Sequence, residues 1–199
     1  MSFKQVEKLL LHNKFLKSNN LDFKKYSYFL KKKSKGFSLY NYKKIYYQLQ
    51  LLVFILKKAH LAGVSILFIG LSYEDKYTNY IVFNQVLEKL VISRGHIYAS
   101  PESHFKSVLY NRWSLHKRHS HPSNFFLRFK NEKEFPSILL SFSKKTNDVI
   151  FKEISKYGIP IMYILEGSPN FNFKDFPIIG TYSDKMLDFY LDILKFCLK

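Results

Sequence analysis

The chain has 199 residues, a length that predicts one domain with a core of its own. Its formal net charge is +17, and its single cysteine excludes an intramolecular disulfide and a cysteine-rich metal site. We interpret that residue, Cys197, as a small core residue of the last helix. Such a charge surplus favours a polyanionic partner, either a nucleic acid or an acidic membrane surface.

Apolar spacing predicts the elements of the first half. Residues 42–61 are predicted as a helix that is apolar nearly all round and therefore buried, with Gly63 as its stop. A core strand follows at 64–69, then a helix at 79–92, and a short strand begins at 95–98. The apolar residues assigned to the second helix are Ile81, Val82, Val86, Leu87 and Leu90.

A strand–helix–strand pattern follows between Pro136 and residue 165. Pro136 opens an apolar run at 138–142, Gly158 ends a helical pattern, and a second apolar run occupies 161–165. Two such runs joined by a helix predict a βαβ unit, whose parallel strands are buried on both faces. The residues predicted to be core are Ile138, Leu140, Ile161, Ile164, Leu67 and Ile69.

The chain is predicted to end with a short extended piece at 177–180 and a helix at 183–198, with Ser183 as its N-cap. Four parallel strands alternating with helices predict an α/β fold: a three-layer, doubly wound sheet with helices on both faces. The whole chain, 1–199, is interpreted as one domain. Residues 1–41 would form an N-terminal helix and a basic loop.

Several short motifs occur in a fixed order along the chain. They are Gly36-Phe37-Ser38-Leu39, Ile66-Leu67-Phe68-Ile69-Gly70, Asn111-Arg112-Trp113, Pro136-Ser137, Gly158-Ile159-Pro160, Glu166-Gly167-Ser168 and the segment from Asp175 to Thr181. In this order they resemble the motifs of small-subunit ribosomal protein two, the S-two family of bacteria and organelles. The resemblance covers most of the chain and implies a flavodoxin-like strand order.

The chain also departs from that family. The glycine-rich segment that follows the family's tryptophan is absent, and residues 114–119 stand there instead. Only about twenty residues separate Trp113 from Phe135, too few for two packed helices. The family's helical hairpin is therefore expected to be reduced or absent. Residues 111–134 are predicted to be a basic, irregular segment that lies on RNA or on a neighbouring protein.

Basic residues interleaved with aromatics indicate RNA binding. The lysine run at 31–35, followed by Gly36, suits a loop that lies on an RNA backbone. For Lys43 and Lys44, a position on a solvated helix face is nearly as good an explanation as phosphate binding. Trp113 fits a core position as well as it fits stacking on a base. The candidate RNA-binding residues are Lys24, Lys25, Lys31, Lys32, Lys33, Lys35, Lys43, Lys44, Arg112, Trp113, Lys117, Arg118, Arg128 and Lys130.

An enzyme is the first alternative, because doubly wound sheets often bind nucleotides. The loop after Gly70 has neither a dinucleotide fingerprint nor a P-loop lysine. Glu74 and Asp75 are interpreted as polar residues entering a helix, and Glu166 as an acceptor that orders its loop. A histidine cluster at residues 116–121 is weak as a metal site, so we expect no metal and no cofactor.

A peripheral membrane-surface protein is the second alternative. The apolar run at 49–56 is interrupted by Lys57 and Lys58, so it is shorter than the ~20 residues of a membrane span. A surface helix would instead need one bare apolar face beside basic residues. An apolar helix buried all round does not fit that description.

The composition also bears on location. Phe, Tyr, Ile, Lys and Asn are abundant, and their codons are rich in A and T, which indicates a strongly biased genome. A mitochondrial genome fits, as does a plastid genome or an AT-rich nucleus. Residues 1–18 have neither a secretory signal pattern nor a transit-peptide pattern, so an organellar protein would be made inside its organelle.

Charge and resemblance together predict a structural constituent of the small ribosomal subunit. The protein would bind ribosomal RNA and neighbouring small-subunit proteins in translation, without catalysis, a membrane span or a small-molecule substrate. The mechanism is electrostatic: lysine-rich segments neutralise phosphates while the α/β body holds those segments in register.

Overall fold

The computed structural model describes residues 30–34, 37–72, 79–99, 136–142, 157–165, 176–179 and 184–199. In chain order the elements are β1 (Leu30–Ser34), β2 (Phe37–Tyr40), α1 (Tyr42–Leu61), β3 (Ile66–Ile69), α2 (Tyr80–Ser93), β4 (Ile97–Ala99), β5 (Ile138–Ser141), β6 (Ile161–Leu165), β7 (Phe176–Ile179) and α3 (Asp184–Cys197).

Two sheets are present in this part of the chain. β1 and β2 form an antiparallel hairpin in which Ser34 pairs with Phe37. The main sheet has five strands in the order β4-β3-β5-β6-β7, and each neighbouring pair is parallel. This is the flavodoxin-like order. β4 is added on one side of β3, whereas β5, β6 and β7 are added in turn on its other side.

Both faces of the main sheet are buried, as expected for the middle layer of a three-layer α/β fold. Phe68 and Leu140, paired neighbours in β3 and β5, belong to the cluster that also contains the buried residues of α1, α2 and α3. Leu67 and Leu139, the neighbouring pair on the same strands, are equally inaccessible on the opposite face. The unbroken apolar runs of the sequence follow from this double burial.

The helices pack through apolar residues at helical spacing. α1 contacts α3 and β7, whereas α2 contacts β4 and α3. The Phe142 ring, just beyond β5, lies 5.2 Å from the Phe83 ring of α2 and 6.2 Å from the Tyr190 ring of α3. One aromatic side chain thus joins the sheet to two helices.

Most predicted elements are confirmed within one or two residues. The fold class is an α/β flavodoxin-like fold, and five of the six predicted core residues are buried; Ile138 is half-buried. Two glycines predicted as helix stops, Gly63 and Gly158, have φ of 68° and 69°. That left-handed conformation favours glycine because it has no Cβ.

Three predictions about the elements are wrong. The sheet has five strands and not four, because residues 176–179 pair with β6 along their whole length. The lysine run at 31–35 is not simply a loop, because Leu30–Ser34 pairs with β2. The predicted apolar face of α2 is wrong in part: Leu87 is buried and Leu90 packs partly against the core, but Ile81, Val82 and Val86 are exposed. Phe83 and Val91 are buried instead.

The prediction that α1 is buried all round is wrong as well. One side of the helix packs through Ile45, Leu49, Leu52, Leu56 and Ala59. Its other side exposes Tyr47, Leu51, Phe54 and Leu61. The physical reason is that α1 lies on one face of the sheet, so its inner side packs and its outer side faces solvent.

The prediction that Cys197 is a small core residue is confirmed. It is buried, and its thiol lies 3.9 Å from the Val53 carbonyl oxygen of α1. Burial raises the pKa of this thiol to about 11, and the nearby Lys57 ammonium offsets only part of that rise. The group therefore stays a neutral thiol at physiological pH.

Some predictions lie outside the described residues. They are the N-terminal helix, the Ser183 N-cap, the helix between β5 and β6, and the irregular segment at 111–134 with its reduced hairpin. Within the described residues, every helix is either too short or too polar to cross a membrane.

Candidate functional site

The carboxyl ends of β3 and β5 form the place where doubly wound sheets bind ligands. Gly70, Leu71 and Ser72 follow β3, and Phe142 follows β5. The amide of Phe142 donates to the Ile69 carbonyl over 2.9 Å, so the pairing of the two strands extends beyond their formal ends.

Asn84 of α2 holds the first of these loops. Its side-chain oxygen accepts from the Leu71 amide over 2.8 Å, and its side-chain nitrogen donates to the Leu71 carbonyl over 2.8 Å. Both backbone groups of Leu71 are therefore satisfied by one amide side chain. A primary amide supplies a donor and an acceptor side by side.

Gly70 is required by the same contact. A Cβ at this position would clash with the Asn84 side-chain oxygen and would lie 2.6 Å from the Tyr98 hydroxyl. Real Cβ atoms do not approach oxygen this closely, so only glycine fits without a shift of its neighbours. The glycine that ends the predicted Ile-Leu-Phe-Ile-Gly strand is therefore explained by packing.

The described part of this edge is filled by protein groups. Leu71 and Phe142 are completely buried, and the Leu71 amide that would face a phosphate already donates to Asn84. A phosphate site needs such backbone amides pointing at its ligand. Glu74, Asp75 and Glu166, the candidate acid–base residues, lie outside the described residues.

We expect Asn84→Ala to lower the free energy of unfolding by about 2 kcal/mol, because the buried Leu71 amide and carbonyl lose their partner. Chemical denaturation measures this difference. Gln85→Ala is the matched control: it removes an amide side chain from an exposed position of the same helix, so it should change stability by no more than about 0.5 kcal/mol. Equal stability of Asn84→Ala and the parent would contradict the role given to this side chain.

The predicted RNA-binding lysines that fall in the described part of the chain lie close together along the backbone. Lys31, Lys32 and Lys33 belong to β1, and Lys43 and Lys44 to the first turn of α1. The hairpin pairs Leu30 with Tyr40, two residues before α1 begins. The other candidates fall outside the described residues: Lys24, Lys25, Lys35, Arg112, Trp113, Lys117, Arg118, Arg128 and Lys130.

The electrostatics at the start of α1 are unusual for a helix. Its first turn contains no acidic residue and two lysines, although the positive end of a helix dipole favours acidic side chains there. The N-cap residue, Asn41, makes no side-chain capping hydrogen bond. The first turn of α1 thus carries lysines at the helix end where the dipole favours acidic side chains.

A pair of histidines forms a second polar feature, at the opposite end of α1. Nδ1 of His60, in the last turn of α1, lies 3.0 Å from Nε2 of His96, just before β4. The ring centroids are 5.1 Å apart. The centroid separation is close to the nitrogen–nitrogen distance plus two ring radii, so the two nitrogens point nearly at each other. This is the geometry of a hydrogen bond, whereas the lone pairs of metal ligands converge on a third point.

The tautomers follow from burial. His96 is 6 % exposed, and within the described part of the chain its Nδ1 has no hydrogen-bond partner. We assign the proton to Nε2 of His96, which donates to Nδ1 of His60, because this leaves a bare lone pair and not a buried N–H without an acceptor. The described residues include no group of three or more potential metal ligands.

This pair should make stability depend on pH. Burial, and then the neighbouring His60, lower the pKa of His96 from 6.5 to about 4. Between these pKa values His96 binds a proton in the unfolded chain but not in the folded chain. The folded state is therefore undiminished in stability above pH 6.5, and its free energy of unfolding falls as the pH drops towards 4. Denaturation of the parent and of His96→Gln at pH 7 and pH 5 tests this. The variant should lose less stability between the two; an identical loss in both proteins would contradict it.

Sequence reasoning did not single out Asn84, His60 or His96. Asn84 carries a usable signal, because asparagine is a poor helix former and stands here inside an apolar helix. The two histidines are 36 positions apart, and no local pattern joins them.

Comparisons with known proteins do not identify the chain: no protein-family model matches it, and no curated protein is significantly similar to it.

Proposed function

We propose that this protein is a structural constituent of the small ribosomal subunit, which binds ribosomal RNA and neighbouring ribosomal proteins during translation. The observation that carries the proposal is the concentration of lysines in β1 and in the first turn of α1, a turn that itself contains no acidic residue. The order of motifs that resembles the S-two family, and the net charge of +17, support the same conclusion.

The proposed mechanism is neutralisation of phosphates by lysine. Each lysine that contacts a phosphate releases a condensed counterion, so affinity depends steeply on salt. The positive end of α1 adds to the attraction, because its backbone amides and dipole also favour an anion. The parallel sheet gives these groups a rigid support.

A nucleotide-binding enzyme on the same sheet is the less favoured alternative. The described edge between β3 and β5 is occupied by Leu71 and Phe142, and the Leu71 backbone is held by Asn84. These groups stand where a phosphate would need open space and free amides. They disfavour a phosphate site at the described part of this edge.

We also propose that the protein works in a mitochondrial ribosome and is encoded in the organelle. The support is compositional: 20 Phe, 15 Tyr and many lysines indicate an AT-rich coding sequence. A plastid ribosome would fit the same composition. Fractionation of cells, followed by detection of the protein in purified organelles, distinguishes the two.

Binding measurements with the purified protein test the proposed function. It should bind small-subunit ribosomal RNA, with an affinity that falls by about 10³-fold or more between 50 and 200 mM salt. It should not bind ATP or GTP under the same conditions. Nucleotide binding with a weak, salt-insensitive affinity for RNA would favour the enzyme instead.

A further inference from the structure

α1 and α3 enclose an apolar groove that opens to solvent. Its volume is about 570 Å³. Its lining includes Tyr46, Phe54 and Lys57 of α1, with Asp192 and Phe196 of α3. Along α1, the twelve residues from Tyr46 to Lys57 are separated by eleven helical steps, which correspond to a length of about 16 Å.

Two exposed aromatic rings dominate this groove. Phe54 is 58 % exposed and Phe196 is 52 % exposed. Tyr47, Leu51 and Leu61 continue the exposed apolar surface along α1 at helical spacing. Single exposed apolar residues are ordinary, but a contiguous stripe beside a groove is typical of an interaction surface.

A lysine ammonium group lies over each of the two exposed rings of the groove. Nζ of Lys57 lies 3.5 Å from the centroid of the Phe196 ring, and Nζ of Lys58 lies 5.9 Å from that of Phe54. α1 contains four lysines and no acidic residue. The one acid that lines the groove, Asp192, accepts from Lys195 over 3.1 Å. An occupant with acidic residues beside its apolar ones would complement this surface.

We propose that the groove between α1 and α3 is a docking site for an acidic amphipathic helix of another protein. Apolar side chains at i, i+4 and i+7 would lie against Phe54 and Phe196, and flanking carboxylates would face Lys57 and Lys58. The 16 Å length matches about eleven helical residues, or three turns. The aromatic rings supply the buried anchors that dominate the energy of such interfaces.

Other occupants fit this surface less well. A second copy of the chain would bring a net charge of +17 towards a basic surface. Residues 1–29 of this chain are also basic, with six lysines against two acids. A membrane is flat where the groove is concave, and Asp192, whose side chain is 70 % exposed, would face anionic headgroups.

This inference deepens the proposed function, since it gives a chemical class to one neighbouring protein. The two can fail separately. RNA binding is assigned to β1 and to the start of α1, whereas the groove begins at Tyr46 and runs towards the other end of the helix. Affinity for RNA and affinity for a helical peptide are therefore measured as independent quantities.

The experiment uses the whole protein and two synthetic helical peptides of about 14 residues. Both carry leucines at i, i+4 and i+7; one has glutamates at its remaining charged positions and the other has lysines. Fluorescence anisotropy measures binding by the parent, by Phe54→Ser and Phe196→Ser, and by Val82→Ser. Val82 is the matched control, because it is 59 % exposed on α2, away from the groove.

We expect the acidic peptide to bind with a dissociation constant on the order of 10 µM. Phe54→Ser and Phe196→Ser should weaken it at least about tenfold, Val82→Ser should not, and the basic peptide should not bind. Equal binding of both peptides, or of neither, would overturn the proposal. Sedimentation that shows a dimer, abolished by Phe54→Ser, would also overturn it, because the groove would then belong to a second copy of the chain. Flotation with anionic vesicles that depends on Phe54 would overturn it as well, because the groove would then bind a membrane.

Discussion

Replacing Leu140 by Ala is expected to lower the free energy of unfolding by about 2–5 kcal/mol. Leu140 is completely buried in β5, the central strand of the five. Its register neighbours are Phe68 of β3 and Met162 of β6. The cavity left by the missing methyl groups would lie in the middle of the sheet, where neighbouring strands cannot close it without breaking their pairing.

Ile161→Ala on β6 should cost a similar amount, because Ile161 is also buried and belongs to the parallel pairing with β5. Chemical denaturation of the purified variants measures both. Val82→Ala is the control: the side chain is 59 % exposed, so its loss should change stability by no more than about 0.5 kcal/mol. Parent-like stability of either core variant would show that the strand is not buried as described.

The second large effect concerns the lysine run. Changing Lys31, Lys32, Lys33 and Lys35 together to Ala should reduce the salt slope of RNA binding by about one unit for each phosphate that is no longer neutralised. If all four lysines bind phosphates, affinity should fall by several orders of magnitude at low salt. The free energy of unfolding should change little, since β1 lies in the hairpin and not in the main sheet.

A control variant separates specific phosphate binding from net charge. Changing Lys89, Lys185, Lys195 and Lys199 to Ala removes the same four charges from exposed positions on α2 and at the end of the chain. Its salt slope should stay close to that of the parent. The same slope in all three proteins would contradict the assignment of β1 to the RNA interface.

The strands were the most predictable part of the fold. β5 and β6 are unbroken apolar runs that follow Pro136 and Pro160, and such runs are needed only where both faces of a parallel strand are buried. β7 was identified as an extended piece but not as a fifth strand. Its pairing with β6 depends on a long-range interaction that no local pattern contains.

The buried faces of the helices could not be chosen from periodicity. α2 has two apolar stripes, and only packing against Phe142 decides that Phe83 is inside and Val82 outside. In α1, apolar residues surround the helix, which local reasoning interprets as complete burial. The structure leaves Phe54 exposed, because only one side of the helix meets the sheet and α3.

The candidate sites were predictable only where sequence neighbours form them. The lysines of β1 and α1 are clustered in the sequence, although their low strand propensity favoured a loop over the hairpin that pairing with β2 produces. The Asn84 contact with Leu71 and the pair of His60 and His96 join separate elements. Both exist only after the sheet and helices have assembled.

Sedimentation of the native protein tests the central claim most directly. Extracts of the source cells are separated on sucrose gradients at low and at moderate salt, and the protein is followed with an antibody. If it is a structural constituent of the small ribosomal subunit, it should sediment with that subunit and stay bound at moderate salt. Sedimentation as a free protein of about 24 kDa at both salt concentrations would contradict the ribosomal assignment.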